Sequence, residues 1–123
     1  MSFDIVVLKP MPDSALVSIL ESIGEIANLG TAAEIRSQCD AVLGRIKWST
    51  EAFGLYEAPE GFALEFAIPA KGAIESLHIT LHFGSKWESI GSEAFDRTVR
   101  RFYEMNGWQA FAVSDNSSLL LGV

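Results

Sequence analysis

The stretch from Gly61 to Phe83 constrains the fold of this chain more than any other part of it. Apolar residues alternate with small or polar residues in two runs, and a Pro-containing turn separates the runs. Side chains two apart on a β-strand point to the same face, so each run predicts a strand with one apolar face. A sheet of this kind needs a second layer to cover it. The predicted apolar sets are Phe62, Leu64, Phe66 and Ile68 in the first strand, and Leu77, Ile79, Leu81 and Phe83 in the second.

Three segments with helical periodicity can supply the covering layer. The first begins at Asp13, a candidate N-cap, and ends at Gly30. The second begins with a capping-box sequence at residues 31–34, and the third begins with another at residues 85–88 and ends at residues 106–107. Apolar residues recur at spacings of three and four in all three segments. We expect the first two helices to form a hairpin that lies across one layer.

Further strands are predicted on both sides of the central pair. Residues 3–8 form the first, residues 53–57 join the central pair in an antiparallel meander, and residues 108–113 and 118–123 form a terminal hairpin. The order of elements is therefore β-α-α-β-β-β-α-β-β. This order predicts a single α+β domain over residues 1–123. Its architecture is a two-layer sandwich, with a mostly antiparallel sheet of about six strands and the helices on one face.

Charge and composition exclude several classes of protein. The net charge of −7 argues against a nucleic-acid-binding surface, which requires clustered positive charge. No apolar run approaches the roughly 20 residues that cross a bilayer, and the N-terminal residues lack a signal-peptide pattern, so we expect a cytoplasmic protein with no membrane contact.

The single cysteine, Cys39, lies on the apolar side of the second predicted helix. We interpret it as an inert core thiol, with a nucleophile as the alternative.

His78 and His82 are the only histidines in the chain. On a helix this spacing would suit a metal ion, but on a strand it separates the two Cα atoms by about 13 Å. The chain also contains no nucleophile-elbow, P-loop or dinucleotide-binding motif. We therefore predict no metal ion, no cofactor, no catalytic residue and no enzymatic activity. The alternative is a small metal-binding or hydrolytic enzyme that uses His78 and His82.

Negative charge is concentrated in the predicted meander. Residues 51–75 contain five glutamates against one lysine, Lys71, a local charge of −4. An acidic open sheet face is a plausible docking surface for a basic protein, because opposite charges steer the encounter. A solvated face without a partner and a face buried in a homodimer are the alternatives. The predicted partner-binding residues are Glu51, Glu57, Glu60, Glu65, Glu75, His78 and His82.

Arg97, Arg100 and Arg101 form the one basic cluster in the sequence. Glu93 precedes Arg97 by four residues, a spacing typical of a salt-bridged outer face of a helix. The alternative is a site for a phosphate or an acidic partner.

Several segments together resemble a known group of proteins. They are LGTAAEI at residues 29–35, WS at 48–49, GFALEF at 61–66, SLHITLH at 76–82 and GWQAF at 107–111. This pattern is similar to small bacterial immunity proteins of polymorphic toxin systems, although His78 and His82 replace the aliphatic or basic residues expected there. The resemblance implies a cytoplasmic protein that binds and blocks a cognate toxin without a cofactor. We therefore predict a non-catalytic protein-binding module of the immunity type.

Overall fold

The computed structural model describes residues 2–11, 16–69 and 74–120, with the side chain of Ser22 left out. Within these residues, seven strands form one sheet and two α-helices accompany it. The strands are β1 (Ser2–Met11), β2 (Glu25–Ala27), β3 (Lys47–Trp48), β4 (Phe53–Glu57), β5 (Ala63–Ala67), β6 (Leu77–His82) and β7 (Gln109–Ala112). The helices are α1 (Ala32–Leu43) and α2 (Ser92–Asn106). The predicted α+β sandwich with a mostly antiparallel sheet is confirmed.

The strands follow the order β2-β1-β6-β5-β4-β3, and β7 also pairs with β1. Every pairing is antiparallel. The predicted meander is confirmed as β4, β5 and β6, which pair in sequence order. The first strand runs three residues past its predicted end at Leu8. It pairs with β6 over residues 2–7, with β7 over residues 5–8 and with β2 over residues 9–11, so it connects the meander to the rest of the sheet.

The inner face of the sheet carries the hydrophobic core. The two predicted apolar sets are confirmed on this face, and seven of their eight residues are buried, with Phe83 partly buried. The helices complete the core with Ile35, Cys39 and Val42 of α1 and with Ala94, Phe95, Val99 and Phe102 of α2. Burying one such aliphatic or aromatic side chain contributes about 1.5–3 kcal/mol, so this face is the main source of stability.

Helix α1 begins where the sequence predicts. The Thr31 hydroxyl accepts from the Glu34 amide at 3.1 Å, and the Glu34 carboxylate accepts from the Thr31 amide at 3.0 Å. These hydrogen bonds lower the pKa of Glu34. At the other end, Gly44 takes the left-handed conformation with φ of 83°, which closes the helix.

The helix predicted from Asp13 to Gly30 is wrong over its described part. Asp13 lies outside the described residues, and residues 16–30 contain a 3-10 turn (Leu20–Ser22) and the strand β2. Long-range partners satisfy this backbone: the Val17 amide donates to the Gln109 side chain at 3.0 Å, and the Leu20 amide donates to the Asn116 carbonyl at 2.8 Å. The predicted helical hairpin is therefore wrong as well, and α1 contacts α2 instead.

Helix α2 begins differently from the prediction. The Ser85 side chain makes no cap, and a π-helical turn (Trp87–Gly91) leads into the helix. The Lys86 carbonyl accepts from the amides of Ser89, Ile90 and Gly91 at 2.9–3.2 Å, so this carbonyl organises the turn. The predicted end is confirmed, because Gly107 adopts the left-handed conformation with φ of 72°.

The predicted terminal hairpin is confirmed only in its first strand, β7. Its second half consists of one bridge, between Phe111 and Ser118, followed by a turn at residues 119–120. Residues 121–123 lie outside the described residues. Ser117 forms a second bridge, with Ile19. The segment around Ile19 and the segment around Ser117 and Ser118 cover the sheet at β7. Phe111 and Gln109 are buried there, on the side of the sheet away from the helices.

Candidate functional site

On the side away from the helices, the sheet is open over β3, β4, β5, β6 and the first half of β1. Alternation along each strand and the register between strands place one set of side chains there. We call this set the outer sheet face. It comprises Ser2, Asp4, Val6, Lys47, Phe53, Leu55, Glu57, Ala63, Glu65, Ala67, His78, Thr80 and His82. All thirteen are exposed or half-buried, so no other described element covers them fully.

Registered pairs arrange these side chains in three rows that cross the strands. The central row is Lys47, Leu55, Glu65, Thr80 and Asp4. The second row is Phe53, Ala67, His78 and Val6, and the third is Glu57, Ala63, His82 and Ser2. Directly opposite residues on antiparallel strands have Cβ atoms about 4.5–5.5 Å apart, so each row forms a continuous strip of surface.

Two polar contacts hold neighbouring strands of this face together. His82 Nε2 lies 2.6 Å from a carboxylate oxygen of Glu65, and the Thr80 hydroxyl donates to a carboxylate oxygen of Asp4 at 3.3 Å. Both members of the first pair are exposed. Exposed pairs of this kind contribute at most about 1 kcal/mol to stability, so they orient the side chains more than they stabilise the sheet.

The structure brings together four of the seven predicted partner-binding residues. Glu57, Glu65, His78 and His82 lie on the outer sheet face, and both histidines lie on an extended strand as predicted. The other three are in connections between strands, where alternation no longer decides direction. They are Glu51 between β3 and β4, Glu60 in the turn after β4, and Glu75 immediately before β6.

Three residues of the face were missed by reasoning from the sequence. Asp4 adds a carboxylate from β1, Lys47 adds an ammonium group from β3, and Phe53 exposes 56% of its surface. Alternation with Phe3 and Ile5 could have predicted that Asp4 points outward. The sequence could not predict that β1 lies beside β6, because no local pattern specifies which strands become neighbours.

The outer sheet face is acidic and contains a groove. Its charged groups are three carboxylates, from Asp4, Glu57 and Glu65, and the ammonium group of Lys47, a net charge of −2 with neutral histidines. Lys71, which the sequence places in the same segment, lies outside the described residues. A groove of about 360 Å³ runs beside Phe53 and Leu55, with Lys47 and Glu65 on its sides. The face thus offers an exposed aromatic ring among negative charges.

Cys39 is confirmed as a core residue. It has no exposed surface, and burial, assisted by the neighbouring Asp40 carboxylate, raises the pKa of its thiol to about 12. At neutral pH the side chain is therefore an uncharged thiol, which is a poor nucleophile and a poor metal ligand. Among the described residues, no group of three or more His, Cys, Asp and Glu side chains is placed to hold a metal ion.

The basic cluster on α2 differs from its predicted arrangement. Arg97, Arg100 and Arg101 are all exposed. No carboxylate oxygen of the described residues lies within 4.0 Å of any of their guanidinium groups, and this includes the predicted partner of Arg97, Glu93. The expected salt-bridged helix face is therefore absent from this part of the molecule. Arg97 and Arg101 instead line a cleft beside α1.

Comparisons with known proteins find no relative. The chain matches no protein-family model, no curated protein and no solved structure. In the described ranges, no helix has both the length and the apolar character that crossing a membrane requires. Function is therefore inferred from the residues of this chain alone.

Proposed function

We propose that this protein is a non-catalytic binding module that holds a basic protein partner against its outer sheet face. The observation that supports this proposal is the combination, on one open face, of three carboxylates with the exposed ring of Phe53. Opposite charge accelerates encounter and selects the partner, while a buried aromatic anchor supplies most of the affinity in typical interfaces. Asp4, Glu57 and Glu65 would provide the first property and Phe53 the second.

The size of the face indicates how a partner would use it. Five residues along five strands cover about 17 Å by 24 Å, or roughly 400 Å². A stable complex buries about 800 Å² on each partner, so the adjoining loops have to take part. Glu51 and Glu75 lie in connections at the end of the meander that carries Phe53 and His78. We therefore keep both residues in the proposed interface, as part of its rim.

The proposed partner is a toxin with a basic surface, as expected for an immunity protein. Blocking such a toxin requires only that the bound module cover its working surface. No metal ion, cofactor or reactive side chain is needed for that role. The acidic outer sheet face supports the docking part of this assignment. The choice of a toxin as the partner rests on the resemblance in sequence.

The proposal is tested by co-expressing this protein with the product of the neighbouring gene and measuring growth and co-purification. We expect the wild type to protect the cells. Glu57→Lys with Glu65→Lys reverses two charges on the face and should abolish both protection and co-purification. The control, Glu88→Lys with Glu104→Lys, makes the same change in net charge at two exposed positions in the helical layer. Equal behaviour of the two double variants would rule out the outer sheet face as the docking surface.

Self-association through the same face is the competing use of this surface. A two-fold axis would bring the carboxylates of one copy close to those of the other, which costs energy unless a cation lies between them. We therefore expect a monomer at low salt. Sedimentation equilibrium tests this expectation: a stable dimer that Glu65→Lys disrupts would show that the face binds a second copy of the chain.

A further inference from the structure

A cleft of about 290 Å³ lies on the helical side of the sheet, away from the outer sheet face. Its walls come from the end of α1, from the turn between β4 and β5, and from the middle of α2. The side chains of Val42, Phe62 and Ala94 lie at its base but are almost fully buried. Most of the exposed lining is therefore polar, and the rim is charged.

Two guanidinium groups on the rim have no anionic partner among the described residues. Arg97 and Arg101 are four residues apart on α2, so they lie on the same side of the helix one turn apart. Glu60 lies on the opposite wall. No ion pair within 4.0 Å joins Glu60 to either arginine, so the cleft keeps these opposite charges apart. Both guanidinium groups keep their hydrogen-bond donors available for a ligand.

The hydroxyl of Tyr56 adds a neutral polar group to the same cleft. Burial raises the pKa of this hydroxyl, the negative charge of Glu60 raises it further, and the positive charge of Arg45 lowers it. Among the charged residues that line the cleft, Arg97 and Arg101 outnumber Glu60, which gives the lining a positive charge in a chain whose net charge is −7.

This chemistry defines a ligand class. Guanidinium groups bind phosphate and carboxylate groups with paired hydrogen bonds, and arginine suits this role better than lysine. The small apolar patch at the base leaves room for a compact apolar group on the ligand. The volume is near the lower limit of small-molecule sites, which restricts that body to a single ring or a short chain.

We propose that the cleft between α1 and α2 binds a small organic oxyanion, a phosphate or carboxylate attached to a compact apolar group. Arg97 and Arg101 hold the oxyanion, Tyr56 donates a hydrogen bond to it, and Val42, Phe62 and Ala94 contact the apolar body. This site is separate from the outer sheet face. If the cleft bound no oxyanion, the proposed partner binding would be unaffected. If the outer sheet face bound no partner, the proposal for the cleft would be unaffected.

The site is tested with phenyl phosphate and benzoate as probes, in heteronuclear NMR titrations at constant ionic strength. We expect saturable shifts of the amides around Tyr56, Thr98 and Arg101, with a Kd at or below about 1 mM for at least one probe. The two probes distinguish a phosphate site from a carboxylate site. Benzyl alcohol carries the ring without the charge, and inorganic phosphate carries the oxyanion without the ring, so both serve as controls.

Three variants connect the shifts to the proposed contacts. Arg97→Gln and Arg101→Gln should each weaken phenyl phosphate binding at least about fivefold, because each removes a charged donor pair. Arg100→Gln is the matched control: it removes the same charge from the same helix at a residue that does not line the cleft. It should change the affinity less than twofold.

Three results would overturn the proposal. The first is the absence of saturable shifts for both probes up to about 10 mM, ten times the expected limit. The second is equal binding of benzyl alcohol, which would show a merely apolar cleft. The third is an equal loss of affinity in Arg97→Gln and Arg100→Gln, which would show a general effect of charge. Because the wild-type titrations alone can give the first two results, the test does not depend on the folding of any variant.

Discussion

Gly84 follows β6 at a point where the chain cannot accept a side chain. The register that pairs Ala63 with His82 places Gly84 opposite Gly61. A Cβ atom built on Gly84 would lie 1.5 Å from the Gly61 carbonyl oxygen and 2.5 Å from its carbonyl carbon. Both atoms belong to the backbone, so no side-chain rotation relieves the contact. Gly61 is itself in the left-handed region, with φ of 88°, which restricts its own adjustment.

The magnitude of the effect of Gly84→Ala follows from this geometry. Real Cβ atoms essentially never approach another heavy atom closer than 3.0 Å, so one of the two backbone segments has to move by about 1.5 Å. Overpacking that forces backbone shifts costs about 1–3 kcal/mol and occasionally more. We expect a loss at the upper end, about 3 kcal/mol. With a urea m-value of about 1.5 kcal/mol/M, this lowers the unfolding midpoint by about 2 M.

Urea unfolding followed by far-UV circular dichroism measures this effect, with two glycine controls. Gly24→Ala meets no atom within 4 Å and has no left-handed φ, so it should change the unfolding free energy by less than about 0.5 kcal/mol. Gly44→Ala also meets no atom within 4 Å, but φ is 83°, so it should cost about 1–2 kcal/mol from backbone strain alone. An unfolding midpoint of Gly84→Ala equal to that of Gly24→Ala would refute the steric argument.

Two further predictions concern α1. Cys39 in the native protein should not react with Ellman's reagent at pH 8, where a thiol of pKa about 12 is ionised in only about one molecule in ten thousand. It should react fully in urea, and rapid release of one equivalent from native protein would contradict its burial. Thr31→Ala should lower the unfolding free energy by about 1 kcal/mol, because it removes the hydroxyl that caps the Glu34 amide. Ser37→Ala, at an exposed position within the same helix, is its control; an equal effect of both substitutions would show that the cap contributes nothing.

Elements fixed by local chemistry were predictable from the sequence. The meander and its inner face followed from strict alternation, since a shift of one residue would turn every apolar side chain to the solvent. The start of α1 followed from its capping box, and the end of α2 followed from Gly107. In each case the signal and the structure it specifies lie within a few residues of each other.

Residues 16–30 show why the remainder could not be predicted. Their apolar spacing fits a helix, but much of their backbone bonds to distant parts of the chain, such as Gln109, which is 92 residues away from its partner, the Val17 amide. The residues 9–11 of β1 provide the partner strand for β2. Pro10 and Pro12 made those residues resemble a loop, although proline is acceptable in a strand at the edge of a sheet. Pairing with distant parts of the chain therefore determined the structure of residues 16–30, although their local pattern predicted a helix.

The sequence predicted which way the side chains of the candidate site point, but not which further residues belong to the site. Alternation placed Glu57, Glu65, His78 and His82 on one face. The contribution of Asp4 depended on β1 lying beside β6, and the direction of Glu51, Glu60 and Glu75 depended on turns. The cleft could not be inferred at all, because it forms only where α1 and α2 meet the turn after β4.

The most direct measurement for the proposed function is isothermal titration calorimetry with the product of the neighbouring gene. Glu57→Lys with Glu65→Lys should weaken its binding at least about tenfold relative to the wild type, because two attractive charges become repulsive. The control pair, Glu88→Lys with Glu104→Lys, should remain within about threefold of the wild type, since these charges lie in the helical layer. An equal affinity of all three proteins, or no binding by the wild type, would contradict docking through the outer sheet face.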